Sequence, residues 1–139
     1  MGEKRPGVYF KGTNDSIVIM DSVAYMDETQ KGNIIVCGSH GGESAARQLL
    51  RFHPGGAILN DAGKGKEDAG IRGLLLFNEA GIPAAVVDAF TARIGDGMDT
   101  YESGVVSVVN EEAERHGIKV GMAAKDAAQV LNVEIRNKF

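Results

Sequence analysis

Four short apolar runs, each followed within two residues by a polar residue, constrain the fold of this chain more than any other feature. The runs occupy residues 16–20, 33–37, 56–59 and 83–87. Each is four or five residues long and continuous rather than alternating, which is typical of strands that are covered on both faces. The runs therefore predict buried strands in the middle layer of a layered domain.

Helical patterns lie between and after these runs. Apolar residues recur at three- and four-residue spacing over residues 43–52, 68–80, 100–116 and 123–131. This alternation predicts an α/β fold, a single three-layer domain over residues 1–139 with a mainly parallel sheet of four to five strands flanked by helices. Residues 8–10 are expected to form an edge strand and residues 118–120 a weak fifth strand. Residues 132–139 are expected to form a C-terminal tail or an arm onto a neighbouring subunit.

Charge and composition exclude several classes of protein. The 139 residues carry a net charge of −4, so bulk electrostatics does not favour binding to nucleic acid or to an anionic membrane surface. The single cysteine, Cys37, excludes an intramolecular disulfide, and no apolar run approaches the roughly 20 residues of a membrane-spanning helix. We therefore expect a cytoplasmic protein with neither nucleic acid nor membrane as a partner.

Polar side chains follow each predicted strand. Right-handed crossovers put the carboxyl ends of parallel strands on one edge of the sheet, where the ligands of open α/β sheets bind. The residues expected at this edge are Asp21, Ser22, Ser39, His40, Asn60, Asp61 and Asp88. Asp, Asn and Ser are also frequent helix caps and turn formers, so two interpretations remain open, a ligand pocket or a set of caps.

The segment GSHGGE at residues 38–43 is the most specific candidate for chemistry. Gly41, Gly42 and Glu43 would open a helix whose free N–H groups and dipole bind an anion. His40 is expected to transfer protons, because its unperturbed pKa lies near neutrality. Ser39 fits the pattern small-x-Ser-x-small of a strand-to-helix elbow, which makes it a candidate nucleophile.

The elbow pattern raises the question of a catalytic triad. Asp61 or Asp88, followed by His116, would give the chain order Ser, Asp, His, although a histidine before Gly117 is also typical of a helix end. Asp61 is assigned a catalytic role, either orienting His40 or acting as a second acid or base. The phosphate-loop and dinucleotide motifs are missing from these loops, so neither nucleotide binding nor any cofactor is predicted.

Two further loops are assigned to substrate binding. Asn60 and Lys64 in NDAGKGK would bind a polar substrate and hold its negative charge. The long segment 89–104 is expected to form a lid or pocket wall, in which Arg93 would bind a carboxylate or phosphate. Asp88 and Asp96 belong to the same predicted site, with an ion pair to Arg93 as the structural alternative. Neither EF-hand spacing nor a zinc-type Cys/His cluster is present, so no metal is predicted.

These assignments favour a small-molecule enzyme that acts on a small polar or anionic metabolite. A hydrolase or a proton-transfer lyase using the GSHGG loop fits the residue types best, with no redox cofactor. The alternatives are a non-catalytic ligand-binding or regulatory module, and a structural subunit of a larger homo-oligomeric assembly whose glycines serve close backbone packing. A homo-oligomer is expected in either case.

Overall fold

A single six-stranded sheet organises the part of the chain that the computed structural model describes, residues 7–12 and 15–136. The strands are β1 (Val8–Lys11), β2 (Ile17–Met20), β3 (Ile34–His40), β4 (Gly56–Asn60), β5 (Ala84–Val87) and β6 (Val106–Val109). Their order in the sheet follows the chain. Strands β2 to β5 are parallel, whereas β1 and β6 pair antiparallel with their neighbours. The α/β class is confirmed, but the expected four to five strands were too few, and the sheet is mixed at its two edges.

Helices cover both faces of the sheet, which gives three layers. They are α1 (Glu43–Leu50), α2 (Gly73–Glu79), α3 (Gly97–Ser103), α4 (Glu111–Arg115) and α5 (Ala124–Arg136). Helices α1 and α2 pack together on one face, beside a 3₁₀ helix at Val23–Tyr25, and α3 and α5 pack on the other. Within the described ranges, none of the helices combines the length and the apolar composition needed to span a bilayer.

Successive side chains along each strand point to opposite faces of the sheet, so the core consists of two clusters, one on each face. In β2, Val18 and Met20 face α1 and α2, while Ile17 and Ile19 face α3 and α5. All four side chains are fully buried. Because both faces are covered, the central strands read as continuous apolar runs, and each such side chain contributes about 1.5–3 kcal/mol through burial.

The predicted long helix over residues 100–116 is wrong. Gly104 ends α3, and a Cβ at this position would lie 2.8 Å from Val87 Cγ1, so the chain turns there against β5. The following β-branched residues form β6, and Asn110 then begins α4 by accepting a hydrogen bond from the Ala113 N–H at 2.9 Å. The helical spacing of apolar residues concealed a strand flanked by two short helices.

Three other expectations concern the ends of the chain. Residues 8–10 do form an edge strand, whereas residues 118–120 lie in a connection outside the sheet, with Ile118 buried in the core. Within the expected tail or arm over residues 132–139, residues 132–136 continue α5, and an arm onto a neighbouring subunit stays a prediction. The remainder of that tail, residues 137–139, lies outside the described residues.

Candidate functional site

The parallel strands bring their polar ends together along one edge of the sheet, which we call the carboxyl edge. It carries Asp21 after β2, Ser39 and His40 at the end of β3, Asn60 and Asp61 at β4, and Asp88 after β5. The strand order does not reverse within β2–β5, so the edge lacks the crevice of a topological switch point. The loops after β4 and β5 supply the surroundings of these side chains instead.

An irregularity in β3 sets the direction of Ser39 and His40. Val36 pairs with Ile58, and the next paired residues are His40 and Asn60, so β3 uses two more residues than β4 over this stretch. Such bulges bend a strand and redirect its side chains, and they are frequent beside functional sites. The bulge leaves His40 exposed and Ser39 half-buried.

His40 is held by the start of the following helix. The Gly42 N–H donates a hydrogen bond to His40 Nδ1 at 3.2 Å, which leaves the proton of the neutral ring on Nε2. Gly42 is also the N-cap residue of α1 and makes no side-chain cap. His40 therefore lies beside a helix N-terminus and offers a hydrogen-bond donor from Nε2.

The hydroxyl of Ser39 accepts a backbone hydrogen bond and also donates toward the thiol of Cys37. The Val23 N–H donates to Ser39 Oγ at 3.1 Å, and the Ser39 N–H donates to Cys37 Sγ at 3.4 Å. Within the described residues, no hydrogen bond joins Ser39, His40 and Asp61 to one another. His116 is distant from these residues. It follows α4, which begins where β6 ends beside Ala84, the first residue of β5, and this is the edge of the sheet opposite the carboxyl edge. The structure does not bring a triad of Ser39, Asp61 or Asp88, and His116 together.

Asp61 is buried and its carboxylate receives three hydrogen bonds. Oδ1 accepts from the Gly63 N–H at 2.7 Å and the Ala89 N–H at 3.0 Å, and Oδ2 accepts from Ser107 Oγ at 2.7 Å. These donors belong to the loop after β4, the loop after β5, and β6. The carboxylate thus ties three segments to the carboxyl edge, and its role as an orienter or second acid remains a prediction.

Asn60 is also buried and also bonds loop backbone. Its Nδ2 donates to the Ala92 carbonyl at 3.1 Å, and its Oδ1 accepts from the Ala62 N–H at 2.7 Å. Its side chain therefore holds both neighbouring loops in place. Substrate contact by Asn60 remains a prediction.

The segment after β5 lies across the carboxyl edge as a packed loop, residues 89–96. The Gly95 N–H donates to the Gly38 carbonyl at 2.7 Å, and the Gly97 N–H donates to Asp21 Oδ1 at 2.8 Å. A Cβ on Gly38 would lie 2.5 Å from the Asp96 nitrogen and 2.8 Å from the Asp21 carbonyl oxygen. Glycine at position 38 is required by this close approach of backbone. The C-terminal part of the predicted lid, residues 97–103, forms helix α3 instead.

The polar residues of this loop act as caps and turn formers. Asp88 Oδ1 accepts from the Phe90 N–H at 2.8 Å, and Asp96 caps α3 by accepting from the Asp99 N–H at 2.9 Å. The Arg93 N–H donates to Asp99 and, together with a hydrogen bond from Ser103 and the charge of Arg93, lowers the pKa of the Asp99 carboxyl. The side chain of Arg93 is exposed.

The remaining predicted binding residues flank the start of α1. Gly41 and Gly42 are buried, while Glu43 pairs with Arg47 and Arg72 on the surface. Lys64 is exposed and has a positive φ of 68°, and its backbone bonds Asp61 and Gly70 within the loop. Lys64 and Arg93 thus place two exposed cations on the loops that border the carboxyl edge.

Cys37 lies in β3 within the core, as its position in an apolar run indicated. Burial raises the pKa of its thiol to about 11. We therefore expect the native protein to resist alkylation by iodoacetamide at pH 8, because the reactive thiolate is scarce and inaccessible. In denaturant, Cys37 should be alkylated at the rate of a free thiol. Labelling of the native protein at that same rate would contradict the buried position of Cys37.

The sequence did not predict the hydrogen bonds of two residues at this site. Ser107 lies inside the apolar run VVSVVN, where a core position is the ordinary interpretation, yet its hydroxyl donates to Asp61. The hydroxyl in an apolar run was the signal in the sequence for this role. Asp21 was placed at the edge but not assigned a role, and it receives the N–H of Gly97. Within the described part of the chain, no group of three or more His, Cys, Asp or Glu side chains is arranged to hold a metal ion.

Comparisons of the chain with protein-family models, with curated proteins and with solved structures found no match. The function is therefore inferred from the geometry of the carboxyl edge.

Proposed function

We propose that the protein is an enzyme that acts on a small polar or anionic metabolite at the carboxyl edge, by hydrolysis or by proton-transfer elimination. The observation that supports this proposal is the hydrogen bond from the Gly42 N–H to Nδ1 of the exposed His40. It gives the neutral imidazole a defined tautomer, with its N–H donor on Nε2. Under this proposal the His40 Nε2–H donates a hydrogen bond to a developing oxyanion and keeps its proton, because a neutral imidazole is too weak an acid to give it up.

The surroundings of His40 favour an anionic substrate. The first turn of α1 has free backbone N–H groups and the positive end of the helix dipole, both of which stabilise a carboxylate or phosphate. The exposed cations Lys64 and Arg93 would add attraction from the bordering loops.

A non-catalytic ligand-binding module is the second candidate function. The observation that favours it is the bonding of Asp61, whose two carboxylate oxygens already accept from Gly63, Ala89 and Ser107. A carboxylate engaged in this way stabilises loops and leaves His40 without a second acid or base. Both candidates use the same residues to bind, so turnover distinguishes them.

Two substitutions at His40 separate binding from catalysis. His40→Gln keeps a neutral donor near the position of Nε2, whereas His40→Asn keeps an acceptor for the Gly42 N–H and loses the outer donor. A panel of small carboxylates, phosphates, amides and nucleosides is first screened by thermal unfolding, since a ligand that binds the native state raises the unfolding midpoint.

For a compound that stabilises the wild type, we expect His40→Gln to retain most of the stabilisation and His40→Asn to lose it. If the protein is an enzyme, turnover of that compound should fall by about two to three powers of ten in His40→Asn and by less in His40→Gln, which keeps a donor. Full turnover in His40→Asn would contradict stabilisation of the oxyanion by His40. Equal stabilisation of all three proteins would contradict binding at this edge.

A further inference from the structure

Two surface features have exposed apolar side chains that take no part in the binding proposed at the carboxyl edge. One is the tip of loop 89–96, residues 90–94, which we call the knob. The other is a groove between α2 and β6, which we call the α2–β6 groove. We propose that the knob of one copy of this chain inserts into the α2–β6 groove of a second copy.

The knob presents a large aromatic side chain on a well-fixed turn. Phe90 is 96% exposed and Ile94 is 50% exposed. The Phe90 N–H donates to Asp88 Oδ1 at 2.8 Å, and both the N–H and the hydroxyl of Thr91 donate to the Asp88 carbonyl, at 2.9 and 2.6 Å. A bonded turn loses little conformational entropy on association, and buried aromatic anchors supply much of the binding energy of protein interfaces.

The groove has an apolar floor and space for such a side chain. Ile71 just before α2, Leu75 of α2 and Val108 of β6 line a cavity of about 460 Å³, and Leu75 is 68% exposed. This volume lies within the range of concave binding sites. An exposed leucine beside an edge strand forms an apolar surface that a partner can cover. Phe90 and Ile94 are apolar side chains of suitable size to fill it.

The charges at the two surfaces are complementary. Arg93 is the only charged residue of the knob, whereas three carboxylates and one guanidinium line the groove, from Glu67, Asp68, Glu111 and Arg72. Arg72 already pairs with Glu67. Asp68 has no ion pair with any residue in the described ranges, so it is the acceptor that the knob's Arg93 would meet. Opposite charges at an interface specify its register and its partner.

Because the knob and the groove are different surfaces, their contact is heterologous and each copy uses one of each. Such contacts propagate into rings or open chains rather than closing as a two-fold dimer. This property gives the proposal a complementation test. A copy with an intact groove and a defective knob should bind a copy with the opposite defect, and their complex should stop at two chains.

The test measures molar mass by light scattering and sedimentation over a range of protein concentrations. We expect the wild type to associate, and Phe90→Asp and Leu75→Asp each to be monomeric when alone. An equal mixture of these two variants should form a one-to-one heterodimer. Val120→Asp is the matched control, because Val120 is 62% exposed and lies outside both surfaces, and it should associate as the wild type does. Circular dichroism of every variant verifies folding.

A second pair of variants tests the charged contact. Arg93→Glu and Asp68→Asn should each weaken association about tenfold or more, which corresponds to about 1.4 kcal/mol. Asparagine is chosen because residue 68 has a positive φ of 58°, which asparagine tolerates. A wild type that stays monomeric at about 1 mM would overturn the proposal and leave the groove to another partner. Loss of association in Phe90→Asp with full association in Leu75→Asp would also overturn it.

Discussion

Replacing Asp61 with alanine should lower the free energy of unfolding by about 3–5 kcal/mol. The substitution removes the shared acceptor of the Gly63 N–H, the Ala89 N–H and the Ser107 hydroxyl. A hydrogen bond to a charged group contributes about 1.5–3 kcal/mol. Gly63 is exposed and Ala89 and Ser107 are half-buried, so water would replace part of what these donors lose. Equilibrium unfolding in urea at pH 7 measures the effect.

Asp88→Ala is the matched control for Asp61→Ala. Asp88 is half-buried, and its carboxylate accepts one N–H, that of Phe90, within its own turn. We expect a loss of about 1 kcal/mol or less for this variant. An equally small loss for Asp61→Ala would mean that Asp61 does not hold the loops. Asp61→Asn should fall between the two, because one amide oxygen can still accept the backbone N–H groups.

Replacing Gly38 with alanine should destabilise the protein by about 3 kcal/mol and displace loop 89–96. The new Cβ would lie 2.5 Å from the Asp96 nitrogen, 2.7 Å from the Gly95 carbonyl carbon and 2.8 Å from the Asp21 carbonyl oxygen. All three atoms are backbone, so two chain segments must move apart. Urea unfolding gives the free energy, and amide hydrogen exchange of Gly95 reports the loss of its bond to the Gly38 carbonyl.

Gly56→Ala controls for the general cost of adding a methyl group at a buried glycine. Its Cβ would meet the ends of two flexible side chains, Ile34 Cδ1 at 3.1 Å and Leu131 Cδ1 at 3.3 Å. These can shift slightly, so we expect a cost of about 1 kcal/mol. If Gly38→Ala were as mild as Gly56→Ala, with Gly95 still protected, the close packing of the loop onto β3 would be contradicted.

The fold class was predictable because the central strands are short and buried on both faces. Such strands have few alternatives, and their parallel arrangement followed from the helices between them. Strand β6 was missed because Val106, Val108 and Val109 also fit the helical spacing of the residues around them. The break that decides between the two interpretations, Gly104 against β5, depends on a tertiary contact that local pattern does not contain.

At the candidate site, residue type and strand position predicted which side chains gather at the carboxyl edge. Their bonding partners could not be predicted in the same way. The carboxylate of Asp61 receives the N–H of Ala89, 28 residues later, and the hydroxyl of Ser107, 46 residues later. Contacts of this range are fixed by how the loops fold over the edge, so a polar strand end alone does not distinguish a catalytic side chain from one that holds loops.

The most direct test of the account is the state of the His40 ring, measured by long-range ¹H–¹⁵N correlation NMR at pH 8, with His40→Asn to assign the signals. The proposed role of His40 predicts a proton on Nε2 and none on Nδ1, since Nδ1 accepts the Gly42 N–H. It also predicts that a ligand found by the unfolding screen shifts Nε2 and the amides at the start of α1. A proton on Nδ1, or the averaged signals of a free imidazole, would contradict the proposed role of His40.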